Sequence, residues 1–326
     1  MRKLLLFVIL AASSFTLKAQ YYWDYGVGAG VANVLGDMGG KQLSRRDFVS
    51  DIKFQETRQA ANAFARYKIA QNFSIKANLS YNCLRGADSL CTYAPRYYRN
   101  LSFRNRTWEL SATCQWFFYE VNDLGHTYRY KDNFRAYIGL GIGAMYHNPK
   151  TFYDGPIPHG NSDWVKLRPL ETEGYKYTKV TMTIPAEMGF YFTINKHYRI
   201  GWNLCWRTTF TDYLDDVSGN YADPATLSSP LAVALANRTN AADADAYGLA
   251  NGLGQGWSHN YGYGSYVVDG KPHSNMRGEN IHNDSFITSN VEFSYVFRGK
   301  SSLYRSHYSS LFKGNKYKHR KVRAKF

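Results

Sequence analysis

Beyond its first twenty residues the chain has no apolar run long enough to cross a bilayer as a helix. It has only four cysteines, nine prolines and 25 acidic residues against 40 Lys and Arg. Each shortage excludes something. The missing run excludes a helical membrane protein. Four cysteines in 326 residues exclude a fold held together mainly by disulfides. The nine histidines are scattered mostly over loops and never fall as H-x-x-x-H on one element, which argues against a zinc site. The serine-hydrolase signature G-x-S-x-G is missing; Ser265 in "YGYGSYVVDG" follows a glycine but lacks the strand–turn–helix context of a nucleophile. No catalytic residue and no cofactor is expected, and the protein is expected not to be an enzyme.

What is present points elsewhere. Aromatic residues make up 17% of the chain, with 28 tyrosines, although the mean hydropathy is negative. Tyr and Trp in such numbers suit barrels of the outer membrane, where an apolar ring and a wet tip are both used. The start, "MRKLLLFVILAASSFTLKAQ", reads as an export signal over residues 1–19: Arg2 and Lys3, then a short apolar core, then a cleavage site before Gln20. Of the net charge of +15, the signal carries +3 and the tail from Gly299 to Phe326 carries +9 with no acid. The basic character thus belongs to the tail. In an exported protein it suits an acidic protein surface or anionic lipid, not nucleic acid.

A strand in a barrel wall reads apolar at every second position. In "ITSNVEFSYVF", Ile287, Val291, Phe293, Tyr295 and Phe297 share one face, while Thr288, Asn290, Glu292 and Ser294 take the other. The same alternation runs through Trp23–Val34, Ala61–Ile69, Phe73–Tyr81, Trp108–Phe118, Phe134–Tyr146, Met182–Ile194 and Tyr198–Phe210. The expected fold is all-β: an eight-stranded antiparallel transmembrane β-barrel over residues 20–298, followed by a basic tail over 299–326. Pro185 is expected to mark a bulge, because proline cannot donate to the ladder. Tight turns are expected near Gln71-Asn72 and Asn195-Lys196-His197, and Tyr119–Asn133 is long for a turn on that side. Long external loops are expected at 35–60, 83–100, 147–179 and 211–285. Within the last, 241–265 is expected to be flexible, being rich in Ala, Gly, Asn and Tyr. An even strand count puts both ends in the periplasm. Nine inward charges are expected to pair inside a narrow, filled barrel: Arg66, Lys68, Lys76, Glu109, Arg135, Glu187, Arg199, Arg207 and Glu292.

Five stretches carry a resemblance. They are "ANVLGDMGG", "NLSFRNRTWELSATCQWFFYEVND", "PLETEG", "RTTFTDYLDDVSGNYADP" and "LANRT". Together and in this order they resemble PorG-type outer-membrane proteins of Bacteroidota. The resemblance implies an eight-stranded barrel. For the best-known members it also implies a place in the type IX protein secretion machine, next to a periplasmic ring built from a lipoprotein and its partner. The expected partners are therefore those ring proteins and outer-membrane lipid, with the barrel itself monomeric. Two other classes remain open: an external binding or adhesion barrel, and a barrel enzyme acting on lipid.

The most specific stretch raises a question of its own, because Asp212, Asp215, Asp216 and Asp223 crowd it. The spacing is not that of an EF-hand, so Asp212, Asp215 and Asp216 are weak cation candidates. The plainer expectation is a loop-organising set, Arg207, Thr209, Asp212, Tyr213, Asp215 and Asp216, bonding backbone amides and the arginine. In the tail, Lys313, Lys316, Lys318, Arg320, Lys321, Arg323 and Lys325 are the expected partner-binding residues. Cys83 and Cys91, eight apart in an expected loop, are read as a disulfide, with Cys114 and Cys205 as lone apolar fillers, although four cysteines allow three pairings and the sequence does not choose among them.

Overall fold

The computed structural model of the chain describes residues 21–38, 52–70, 72–122, 132–158, 160, 162–194, 197–252, 265–268, 271–274, 276–278 and 282–298. The export signal and the basic tail, with its seven partner-binding candidates, lie outside these residues.

Eight strands close on themselves: β1 (Tyr21–Leu35), β2 (Arg58–Lys68), β3 (Phe73–Ala87), β4 (Ser102–Asn122), β5 (Asp132–Tyr146), β6 (Val180–Ile194), β7 (Tyr198–Thr209) and β8 (Ser285–Arg298). Each pairs antiparallel with its neighbour in sequence, and β1 pairs with β8 from Tyr21↔Arg298 to Leu35↔Ser285, so no edge is left. Closure lets strands cross a membrane, since every backbone amide finds its partner in the next strand. This is a transmembrane β-barrel.

The side chains sort as the alternation requires. Leu110, Leu140 and Ile142 face out and are more than 60% exposed, in a band of aliphatic residues that only lipid would cover. Below the band lies an aromatic girdle including Trp23, Tyr25, Trp116, Phe118, Phe134 and Phe192; above it lie Tyr81, Trp108 and Tyr146. Between Trp116 and Trp108 the strand runs about 26 Å, about 20 Å in height at a tilt of about 40°, close to the ~25 Å apolar band of such barrels. Glycines 139 and 143 of β5 point inward. A β carbon at Gly139 would lie 2.9 Å from Glu187 Cγ, and one at Gly143 2.6 Å from Thr183 Oγ1. They leave space for the larger inward chains of β6.

Three expectations are corrected here. Pro185 makes no bulge: β5 and β6 hold one register on both sides of it, and only the pairing between Leu140↔Ala186 and Gly143↔Thr183 is interrupted. Register shifts fall instead in β4, between Phe117 and Tyr119 and between Val121 and Asn122, and at the start of β1, between Tyr21 and Trp23. Cys83 and Cys91 are separate thiols. Cys83 is not in a loop at all; it stands in β3, opposite Arg106 of β4 and 3.5 Å from the Tyr81 hydroxyl, while Cys91 lies beyond the strand end. Cys114 is exposed on the lipid face rather than packed as a filler, whereas Cys205 is buried inside.

The strands also run on past the membrane. β3 and β4 stay paired up to Ala87↔Ser102, six residues above the upper girdle at Tyr81↔Trp108. A short hairpin, Lys150–Phe152 with Trp164–Lys166, continues the sheet beside β4. Helices α1 (Ala94–Arg99), α2 (Pro230–Ala236) and α3 (Ala241–Ala250) lie in the connections, as does a second hairpin, Ser265–Val268 with Lys271–Ser274. The stretch 241–250, expected as flexible loop, is a helix.

Candidate functional site

Two polar constructions fill the molecule. The first is the lumen, where charged chains from opposite walls meet. Asp24 accepts from Arg66 at 2.8 Å and from Arg199 at 2.7 Å. Lys76 bridges Glu292 at 2.7 Å and Glu187 at 3.4 Å. Glu187 also accepts from Thr113 (2.6 Å), Gln115 (2.9 Å) and Asn203 (2.9 Å). One level up, Glu109 takes Arg207, Ser80 (3.0 Å) and Thr183 (2.7 Å). At the lower end Phe117, Tyr137 and Tyr191 pack together, and Arg199 lies 4.4 Å over the Tyr191 ring. An ion buried in a narrow barrel must be paired and hydrogen-bonded to persist, and these are. The barrel is therefore a filled post and leaves no aqueous channel.

The second construction is a cap over the upper mouth. Leu214 and Val217, wholly buried, press into an apolar plug with Met38, Leu84, Phe103, Met145 and Phe286. Around this plug all four long connections meet. Asp216 accepts from Thr172 (2.6 Å) and the Tyr177 hydroxyl (2.7 Å), and Arg277 donates to its carbonyl at 2.5 Å. Arg277 also reaches Glu173 at 2.9 Å and the Ala236 carbonyl at 3.2 Å. Glu173 in turn accepts from the Ser218 and Gly219 amides, each at 3.0 Å. Arg99 forks onto Asp88 at 2.7 and 2.9 Å and reaches the carbonyls of Asp37 and Arg277. Asn105 of β4 donates to the Leu214 carbonyl at 2.7 Å.

Asp215 and Asp284 serve backbone amides. Asp215 accepts from Met38 and Val217, both at 3.0 Å, and Asp284 from Leu214 at 3.0 Å. Both crowd Gly36: a β carbon there would lie 2.6 Å from Asp284 Oδ1 and 3.1 Å from Asp215 Oδ2, so only glycine fits that approach.

This crowding sets the electrostatics. Burial, with Asp37 and Asp212 beside it, pushes the Asp215 carboxyl well above the usual carboxylate range. Asp284 is raised likewise by burial and by Asp215, Asp212 and Asp37. Burial also lifts Asp216, to about 6, against the pull of Arg277, Thr172 and Tyr177. A carboxyl whose folded pKa lies above its unfolded value stabilises the fold while protonated and loses that contribution as pH rises. His147 runs the other way: burial lowers it to about 4, so its contribution is lost as pH falls through that value. Asp216 loses its contribution as pH rises through about 6, and Asp215 and Asp284, both raised well above the usual range, lose theirs as pH rises further. Cap opening, read by amide exchange at Leu214–Ser218 and corrected for intrinsic exchange, is expected to increase as pH rises. The increase is expected to shrink in Asp215→Asn/Asp284→Asn.

The loop-organising residues read from the sequence are thus only partly brought together. Thr209 donates to the Thr211 and Asp284 carbonyls at 2.9 and 2.8 Å, and Tyr213 stacks on Tyr177 at 4.7 Å. Arg207 does not belong to the set: it lies below the mouth, on Glu109 and Thr288. The cations that hold the loop are Arg277 and Arg99. Asp215 and Asp216 face different partners, and no group of three or more His, Cys, Asp or Glu is arranged to hold a metal among the described residues. Asp24 was legible from its place between Trp23 and Tyr25. Arg277, Glu173 and Asp284 come from distant loops and gave no local signal.

A family model described as a domain of unknown function, DUF6089, matches residues 2–229. No curated protein matches the chain. Several solved structures are similar to it. The attachment invasion locus protein Ail of Yersinia pestis, in complex with the heparin analogue sucrose octasulfate, is 7% identical; the match covers 85% of this chain and 99% of that one, with a TM-score of 0.34. Neisserial surface protein A is 5% identical, with 86% and 98% covered and a TM-score of 0.34. OprG from Pseudomonas aeruginosa is 10% identical, with 86% and 99% covered and a TM-score of 0.35. Nothing about partner or ligand passes from them to this chain.

Proposed function

This chain belongs to the DUF6089 family, and for it we propose a role as an outer-membrane anchor of the type IX secretion machine. The filled lumen carries the reading. A barrel whose interior is occupied by paired charges and whose mouth is plugged by Leu214 and Val217 offers no path for solute. What it does offer is a rigid post in the bilayer, with β1 and β8 both delivering their outer ends to the face opposite the cap. On that face, in this reading the periplasm, the basic tail and the connection between β4 and β5 would hold the ring proteins by charge. The PorG-type stretches support the assignment to this machine, since all five contribute to the cap or to the strands beneath it. Anchoring, not catalysis, is the proposed mechanism.

The experiment compares affinity capture by the full chain with capture by a version ending at Arg298. The full chain is expected to recover the lipoprotein of the ring and its partner from membranes, and the shortened one to lose most of both. Equal recovery would sink the tail's part in the mechanism, and recovery of neither would sink the assignment to the secretion machine.

A further inference from the structure

On the outer face of the barrel, just above the upper girdle, four cations stand side by side. Arg85 of β3 is directly opposite Arg104 of β4; Arg104 is opposite Lys150; Lys150 is opposite Lys166. Directly paired residues project from the same face of a sheet, so the row crosses four strands at one level. Arg106, two positions below Arg104, adds a fifth charge on that face. Like charges directly opposite one another destabilise a sheet. Among the described residues no carboxylate lies within ion-pair distance of any of the five.

The row borders a real concavity. Arg104, Arg106, Lys150, Trp108, Tyr146 and Trp164 line a cavity of about 330 Å³ on the outer wall. Arg104 lies 5.1 Å over the Trp164 ring, and Trp108 packs 5.0 Å from Tyr81, so the aromatic floor is built in place. Depth supports a lipid. Arg106 is two residues and Arg104 four residues beyond Trp108, about 7 and 13 Å along the strand and less in height once tilt is counted. That is the headgroup layer, immediately above the band where Leu110 and Ile142 meet acyl chains.

We propose that this row and cavity bind the phosphorylated headgroup of an outer-leaflet glycolipid, its phosphates on Arg104, Arg106 and Lys150 and its acyl chains on the wall below Trp108. Arginine forks and lysine point charges suit phosphate, and an anion here removes the repulsion within the row. The inference rests on the outer-membrane placement proposed above, with the cap outside.

The test places the protein in lipid nanodiscs containing lipid A in its phosphorylated or enzymatically dephosphorylated form, or phosphatidylglycerol, and counts retained lipid by native mass spectrometry. Wild type is expected to retain phosphorylated lipid A at least about tenfold better than the dephosphorylated form. The variant R85Q/R104Q/K150Q/K166Q is expected to lose that preference. K176Q/K179Q, which removes two exposed cap lysines outside the row, is expected to keep it. In discs of neutral lipid the fourfold variant is expected to melt above wild type, since the repulsion is gone; this also shows that it folds. Equal retention of the two lipid A forms overturns the inference. So does equal retention of phosphatidylglycerol, or displacement of lipid A by inorganic phosphate at equal concentration. A barrel that does not enter nanodiscs at all sinks the membrane placement instead, which keeps the two failures apart.

Discussion

Glu187→Ala is expected to lower barrel stability by about 3–5 kcal/mol, the cost typical of breaking a buried ionic group by removing one side. Four donors from three strands converge on this carboxylate: Lys76, Thr113, Gln115 and Asn203. Lys76 would keep Glu292 at 2.7 Å, so its charge is not wholly stranded. The larger share of the loss comes from Thr113, Gln115 and Asn203, which are buried where no bulk water replaces the acceptor. Reversible urea unfolding in lipid vesicles reads the effect as a shift in midpoint at unchanged slope. Glu187→Gln, which keeps an acceptor, should fall in between. The pair Lys76→Met/Glu187→Leu should cost no less than the single change, because it still strands Thr113, Gln115 and Asn203 and also takes from buried Glu292 its partner at 2.7 Å. A single Glu187→Ala variant within about 1 kcal/mol of wild type would show that water fills the lumen and that the post is not dry.

The second large effect is confined to the cap. Arg277→Ala is expected to open it by about 3–5 kcal/mol, while the barrel's own unfolding midpoint moves much less. Arg277 is buried and holds three segments at once: Asp216, Glu173 and the end of α2 at Ala236. Without it Asp216 and Glu173 face each other buried and uncompensated, and burial already raises the Asp216 carboxyl. Amide exchange at 214–218 and limited proteolysis on the cap side should both quicken. Arg277→Lys should recover only part of the loss, since an ammonium cannot reproduce the guanidinium fork. If Arg277→Ala leaves exchange at these amides unchanged, the apolar plug alone holds the mouth.

The two variants also separate what sequence could and could not show. Lipid on one face and packed polar chains on the other impose a period of two, so the eight strands and most lumen residues were readable from Trp23 to Phe297. Strand ends were not. Above Trp108 the outer face stops meeting acyl chains, and Arg104, Arg106 and Arg85 take the places where apolar residues would have continued the pattern. Alternation alone therefore makes β3 and β4 too short and leaves Cys83 in a loop. The acidic stretch reads as a loop organiser paired with Arg207, whereas in the structure the arginine on Asp216 is Arg277. Arg207 is near in sequence, yet strand direction carries its side chain down to Glu109. Arg277 lies some sixty residues on, and only the fold brings it to Asp216. Local bonding was legible; convergence of separate loops was not.

The seam between the first and last strands has a bearing on assembly. Leu35 faces Ser285 at its top, so Gly36-Asp37 and Asp284 become neighbours only after that seam has zipped to its last pair. The lid residues Leu214 to Val217 dock on both sides of the junction, through Met38 and Asp284. A nascent cylinder still gaping there has nowhere to seat its lid. An intermediate with this seam open is therefore expected to leave Leu214 exposed.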